Sequence, residues 1–268
     1  MDKLQAIIFD MDGTLADTEE IHRQAFNQAF TEFGYDWQWS KQDYIEQLKI
    51  SGGRERIRSF LETRLDPESR ISAIQQARDM HRRKSEIYRD MLAGHICLRP
   101  GVERLIREAR EKHITLAVAT SSSRKNLETL LSNTLGETAL AWFHTIVSCD
   151  EVAEKKPAPT VYQYVLARLG VTAQHCIALE DTQNGNMAAL SAGIKTLITT
   201  HFFTTDDNFS GASLVVDQLG EPGQPFTISA GDAYGATYVD VKLLEKILAA
   251  EHLSGQLYTP KKTASVNS

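Results

Sequence analysis

Two aspartates one residue apart, Asp10 and Asp12, close the apolar run Leu4 to Phe9 and are followed at once by Gly13. Ionised groups at the end of a buried strand need a partner for their charge, and a divalent cation is one such partner. In extended backbone, positions i and i+2 face the same side, so both carboxylates can meet one ligand while glycine lets the chain turn sharply behind them. A surface turn rich in Asp and Gly is the alternative reading of these residues. An EF-hand calcium loop is not, since counting from Asp10 puts Gly13 at loop position four and Ile21 where the bidentate glutamate belongs.

Two further apolar-to-polar junctions and a loop between them carry groups that complement this pair. The run Ile114 to Ala119 ends in Thr120-Ser121-Ser122-Ser123, a set of hydroxyls and amides suited to an anionic oxygen, just before a helix expected to start at Arg124. Serine N-capping accounts for the same residues. The run Cys176 to Leu179 ends in Glu180-Asp181. Asp10, the Asp12 carbonyl and Asp181 would form an oxygen cage for Mg²⁺, which takes few protein carboxylates and keeps positions for water and phosphate. Glu180 is a further candidate metal group, and a helix cap is the alternative for Asp181. Between these junctions, Pro157 fixes the loop that presents Lys156, a cation suited to phosphate, although a lone lysine is also an ordinary solvated residue.

The elements that must position these groups follow from periodicity. Helical patterns run over Glu19 to Phe33, Ser40 to Lys49, Arg54 to Thr63 and Pro67 to Met91, with no strand among them. From Pro100, helices alternate with apolar runs at Ile114 to Ala119, Thr145 to Cys149, Cys176 to Leu179, Thr196 to Ile198 and Leu214 to Val216. Alternation of this kind predicts an α/β fold, a doubly wound parallel sheet with ligand sites at the carboxyl ends of its strands. The expected organisation is an α/β core from residues 1–15 and 96–220 and an inserted all-helical cap, 16–95. Residues 221–268 form a C-terminal appendage: irregular chain, then one amphipathic helix from Val239 to His252, then a small polar tail from Thr259. Helices that simply cover the sheet within one mixed domain are the alternative to a cap.

The cap region is basic where it matters. In Leu48-Lys49-Ile50-Ser51-Gly52-Gly53-Arg54-Glu55-Arg56, the paired glycines allow an anion close to backbone amides and Arg54 can hold a phosphate in bidentate fashion. Lys49, Ser51, Gly52, Gly53 and Arg54 are therefore candidate substrate contacts, and His81-Arg82-Arg83-Lys84 is a second basic cluster. A helix start with a solvated basic face is the plainer reading. Overall, 29 basic against 35 acidic residues in 268 give a net charge of −6, with no polybasic stretch, which argues against nucleic acid or an anionic membrane as partner. Cys97, Cys149 and Cys176 are too widely spaced for a disulfide framework or a zinc site, which fits a reducing cytoplasm. The first strand starts so near Met1 that no secretory leader fits before it, no apolar run spans a bilayer, and a cytoplasmic monomer is the expectation.

The ordered set Asp10-Met-Asp-Gly-Thr-Leu, Thr120-Ser121, Lys156-Pro157 and Glu180-Asp181 resembles the four motifs of haloacid-dehalogenase-type phosphatases. The helical insertion after the first motif resembles the cap of their β-phosphoglucomutase-like branch. What this resemblance implies is Mg²⁺-dependent phosphoryl transfer, with Asp10 as nucleophile, Asp12 as general acid and base, and Thr120 and Lys156 on the phosphoryl oxygens. Ser121 and Ser122 would add phosphate contacts. The dehalogenases lack an acid at the second position, so Asp12 favours phosphate esters. Thr18, His22, Arg54 and Lys84 match substrate-contacting cap positions of that branch. The segments Ala25 to Phe30, Lys49 to Arg56 and Phe203 to Gly211 resemble CbbY-type proteins, which implies a phosphatase of xylulose 1,5-bisphosphate tied to carbon fixation. A phosphosugar mutase or a phosphoglycolate-type phosphatase would use the same motifs. A non-catalytic phosphosugar sensor would not need both Asp10 and Asp12.

Overall fold

A computed structural model describes residues 3–250. Strands β1 (Ala6–Phe9), β2 (Thr115–Ala119), β3 (Thr145–Val147), β4 (Cys176–Glu180), β5 (Lys195–Thr199), β6 (Leu214–Val216) and β7 (Ile228–Gly231) form one sheet. Its order is β3-β2-β1-β4-β5-β6-β7, parallel up to β6, with β7 antiparallel at the edge. Strand β1 lies centrally, with Phe9 in register with Val118 of β2 on one side and Leu179 of β4 on the other.

Alternation along the strands sorts side chains onto two faces. Ile7, Phe9, Leu116, Val118, Ile177 and Leu179 enter one buried cluster, whereas Ala6, Ile8, Ala117, Ala119, Cys176 and Ala178 enter the other. Both faces are apolar because both are covered by helices, as expected of a parallel sheet. The bulky face packs on α5 (Val102–Glu111), α6 (Arg124–Leu135) and α9 (Val241–Ala249). The alanine-rich face lets α7 (Thr160–Leu169) and α8 (Gln183–Ser191) approach, through Val161, Tyr162, Val165, Ala188 and Ala189.

The chain between β1 and β2 contributes α1 (Glu19–Glu32), α2 (Lys41–Leu48), α3 (Gly53–Arg64) and α4 (Pro67–His95) before α5. Their shared core is aromatic. Phe26, Phe30, Trp39, Tyr44 and Phe60 are buried, with Phe30 and Trp39 centroids 4.9 Å apart in an edge contact. Burying each such ring stabilises by about 2 kcal/mol, enough for α1 to α3 to hold together without strands.

Most elements start and stop where periodicity placed them, and the departures have local causes. Strand β7 was not expected. It is an edge strand with Ile228, Ser229 and Gly231 exposed, so it lacks the alternation that marks a half-buried strand. Helix α9 begins at Val241 rather than Val239 because the Asp240 carboxylate accepts from the Leu243 amide at 2.7 Å and caps it. The expected extension of that helix to His252 and the tail from Thr259 lie outside the described residues. The three cysteines are free thiols, with Cys176 buried under α7 and α8. No helix among the described residues is long and apolar enough to cross a membrane.

Candidate active site

The carboxyl ends of β1, β2 and β4 meet beneath α1 and α4, where strand order departs from sequence order. Crevices in open α/β sheets form at such points. Asp10 stands at the end of β1, 7% exposed, its amide still in the ladder through the Leu179 carbonyl at 2.9 Å. The chain then turns at Gly13, φ +79°, and the Gly13 amide returns to the Ala16 carbonyl at 2.9 Å.

Lys156 reaches the cleft from the β3–α7 loop. Its ammonium donates to Asp10 Oδ1 at 2.5 Å, to Glu180 Oε1 at 2.5 Å and to the Ala119 carbonyl at 2.9 Å. Burial works against its charge, but Asp10 and Glu180 outweigh burial and hold its pKa above the usual lysine value. Tyr162 of α7 donates to the same Glu180 oxygen at 2.5 Å. Asp181 caps nothing: Thr182 accepts from the Gly185 amide at the start of α8, while Asp181 receives Thr14 Oγ1 at 3.2 Å and His201 Nε2 at 2.8 Å.

Oxygen atoms of Asp10, Glu180 and Asp181 lie within 4.8 Å of one another, and all three residues are buried. One lysine does not neutralise them. Burial and then the neighbouring carboxylates push Asp181 up, and Asp10 is raised by burial against the pull of Lys156. A buried, all-oxygen donor set with surplus negative charge fits a hard divalent cation.

Asp12 turns to different partners. Thr18 Oγ1 at 2.7 Å, Tyr88 OH at 3.0 Å and His22 Nε2 at 3.0 Å converge on its Oδ1. Burial would raise its pKa, but His22, Thr18 and Lys84 together hold it below the usual carboxylate range. His22 itself is pushed down by burial and by Lys84, so a neutral imidazole donates Nε2–H to the ionised Asp12 carboxylate. Lys84 Nζ lies 2.5 Å from His22 Nδ1 and 4.4 Å from the Phe26 ring centroid. Burial, with Arg56 nearby, lowers the Lys84 pKa to about 7.

The cleft wall joins the two sets. Ser51, Gly52, Gly53, Thr120, Ser121 and Ser122 line it, together with Asp10, Asp12, His22, Lys84, Lys156 and Asp181. Ser123 does both things its sequence allowed, lining the wall and accepting from the Asn126 amide as the cap of α6. Thr18 is fully buried behind Asp12. Lys49 and Arg54 are placed elsewhere: their side chains are 65% and 60% exposed, beside Glu46 and Glu55. The buried guanidinium is that of Arg56, held by Tyr44 OH and the Gln47 and Ile50 carbonyls. Tyr88, Lys155 and His201 were not singled out in the sequence, and Arg56 and His81 only as members of the two basic stretches. Tyr88 lies one helical turn beyond Lys84, and His201 follows the end of β5, so turn spacing and the strand-end rule point to both.

Sheet order, strand-end carboxylates and the ordered lysine define a hydrolase class, and most of the sequence agrees with it. Residues 7–199 match the haloacid dehalogenase-like hydrolase family model, and the chain belongs to that family. Among its relatives, the plasmid-encoded protein CbbY of Cupriavidus necator is 45% identical over 225 residues, 83% of this chain and 88% of that protein. A crystal structure of CbbY from Rhodobacter sphaeroides in complex with phosphate superposes with a TM-score of 0.76 at 43% identity, covering 80% of this chain and 94% of that one. A mutant of that CbbY, crystallised in complex with xylulose-(1,5)bisphosphate, gives a TM-score of 0.76 at 41% identity over 82% of this chain and 98% of that one.

Proposed function

We propose that this protein is a Mg²⁺-dependent phosphatase acting on a sugar bisphosphate, xylulose 1,5-bisphosphate, through an aspartyl phosphate on Asp10. The observation that carries this reading is a single cleft lined both by Asp10, Lys156 and Asp181, with Glu180 buried behind Lys156, and by the basic side chains of Arg56, Lys84 and Lys155. The substrate is taken from the CbbY relative whose structure holds that ester. In this reading residues 16–95 are a cap over a core of residues 1–15 and 96–220, and residues 221–268 an appendage.

Asp10, Asp181 and the Asp12 carbonyl would hold the metal, with Glu180 acting directly or through its hold on Lys156. The ion supplies charge neutralisation at the phosphoryl oxygens. Asp10 attacks phosphorus and the bond to the sugar oxygen breaks, with Lys156, the Thr120 hydroxyl and the Ser121 and Ser122 groups on the phosphoryl oxygens. The proton for the leaving alkoxide comes from Asp12, whose proton affinity an incoming phosphate dianion raises: His22 passes on its Nε2 proton across 3.0 Å while the Lys84 ammonium supplies a proton to Nδ1, so the imidazole stays neutral. Asp12 then takes a proton from the water that cleaves the acyl phosphate, releasing inorganic phosphate and restoring Asp10. A second phosphate would sit against Lys84, Lys155 and the amides of Gly52 and Gly53.

Phosphate release from a panel of sugar mono- and bisphosphates, followed beside isomerised sugar phosphate, tests the reading. Free phosphate with preference for the bisphosphate is expected. Lys84→Ala and Lys155→Ala should reduce kcat/KM by roughly tenfold or more on bisphosphates and less on monophosphates, as loss of a charged contact to one phosphate requires. Equal losses on both would remove the second-phosphate site, and isomerised sugar in place of phosphate would make the protein a mutase.

A further inference from the structure

The loop after β5 carries a histidine aimed at the acidic cluster. His201 is held at both its ring nitrogens: the Phe203 amide donates to Nδ1 at 3.3 Å, which leaves the proton on Nε2, and Nε2–H donates to Asp181 Oδ2 at 2.8 Å. Its backbone is tied by the His201 amide to Thr204 Oγ1 at 3.2 Å and by the Thr204 amide to the His201 carbonyl at 2.9 Å. Just before it, buried Arg99 donates to the Thr199 carbonyl at 3.0 Å, the Thr200 carbonyl at 2.7 Å and the Asp217 carbonyl at 2.7 Å, and also to the Gly13 carbonyl. The end of β5 is thus fastened to the turn behind Asp12.

Space has been cleared for this contact. A Cβ at Gly13 would come within 2.1 Å of Asp181 Oδ2 and 2.6 Å of His201 Nε2, so the turn glycine admits the carboxylate and the imidazole together. With Thr14 on Oδ1 and His201 on Oδ2, both oxygens of Asp181 are oriented by donors from opposite sides.

We propose that His201 is a positioning residue for the metal site, a neutral Nε2–H donor that fixes the rotamer of Asp181 so that this carboxylate meets the cation preformed. The proposal rests on the metal-dependent reading of the site above. Partners that orient a ligating carboxylate set affinity by removing the cost of ordering it on binding.

The test is Mn²⁺ binding to substrate-free protein, followed by electron paramagnetic resonance, for the parent, His201→Asn and His201→Gln, with thermal melts alongside. An asparagine amide is too short to reach Asp181, whereas glutamine places an N–H near the position of Nε2. His201→Asn should weaken Mn²⁺ binding by about tenfold or more, and His201→Gln should stay within about threefold of the parent. Thr14→Val, which removes the donor to the other oxygen, should give an independent loss. Parent-like affinity in His201→Asn, or an equal loss in Asn and Gln variants of parent-like melting temperature, overturns the positioning role while leaving the phosphatase reading intact. A parent that binds no Mn²⁺ overturns both.

Discussion

Asp10 carries a cost that its chemistry explains. Burial and the charges of Glu180 and Asp181 raise its pKa against the pull of Lys156, so its ionised form is held at the expense of the folded state. Replacing it by asparagine removes that charge with little change of shape. Asp10→Asn should therefore melt at or above the parent temperature in metal-free buffer, yet lose phosphate release by more than about 10⁴-fold, as removal of a nucleophile does. Asp12→Asn should cost about 10²- to 10⁴-fold in kcat, the range for a lost proton-transfer group. Activity retained by Asp10→Asn would reassign the nucleophile; a large drop in its melting temperature would show that the carboxylate is structural. These residues were legible because each ends an apolar run with a side chain that has no business in a core. Arg54 illustrates the limit of such reading: two arginines a single residue apart point to opposite sides of α3, and sequence alone does not say which one Tyr44 and the Gln47 and Ile50 carbonyls hold.

At the scale of elements, α4 brings His81, Lys84, Ser85 and Tyr88 to one stripe over the cleft, spaced at three and four residues as a helix face requires. That stripe is costly. With the Lys84 pKa lowered to about 7, the unfolded chain binds a proton between pH 7 and the usual lysine value that the folded chain has released. Stability should accordingly rise with pH across that window, and the penalty should be fully present below it. Lys84→Met should flatten the rise and, at pH 7, add on the order of a few kcal/mol of stability, measured by urea unfolding at pH 7 and pH 9. A parent and variant with parallel pH dependence would show that Lys84 stays charged in the fold. The helices themselves were readable from their 3.6-residue period and caps, and β1 to β6 from their apolar runs. Strand β7 was not, because an exposed edge strand containing glycine buries too little side chain to leave a pattern; only its pairing with β6 defines it.

At the scale of the whole molecule, the helices and the sheet are joined by two chain crossings that lie side by side: Ala16 bridges Leu98, the Arg99 amide donates to the Leu15 carbonyl at 2.9 Å, and Arg99 Nε lies 3.2 Å from Asp17. Paired crossings of this kind define an axis about which the proposed cap can swing. Away from that axis, the two parts meet through apolar and polar contacts: the Tyr44 ring lies edge-on to Phe203 with centroids 5.7 Å apart, and Arg89 of α4 donates to Asn126 Oδ1 of α6 at 3.1 Å. Asn184 at the start of α8 donates to the Lys49 carbonyl at 3.0 Å and to Ser51 Oγ at 3.1 Å, and Lys155 lies 3.6 Å from Glu55. Asn184 touches neither Asp10 nor Asp12, so its expected effect is on the balance between open and closed arrangements of the proposed cap. Removing a hydrogen-bonding group worth about 1 kcal/mol should shift that balance roughly fivefold toward the open form. Because a substrate must then supply the missing closure energy, Asn184→Ala should raise KM about fivefold while leaving kcat within about twofold. The same variant should lower the melting temperature little, since these hydrogen bonds are exposed or half-buried and contribute about 1 kcal/mol. Steady-state kinetics on the bisphosphate separates the cases: a fall in kcat at constant KM would place Asn184 in the chemistry, and no change in either would mean that the proposed cap is held over the cleft by its other contacts, Tyr44 on Phe203 and α4 on α6 among them.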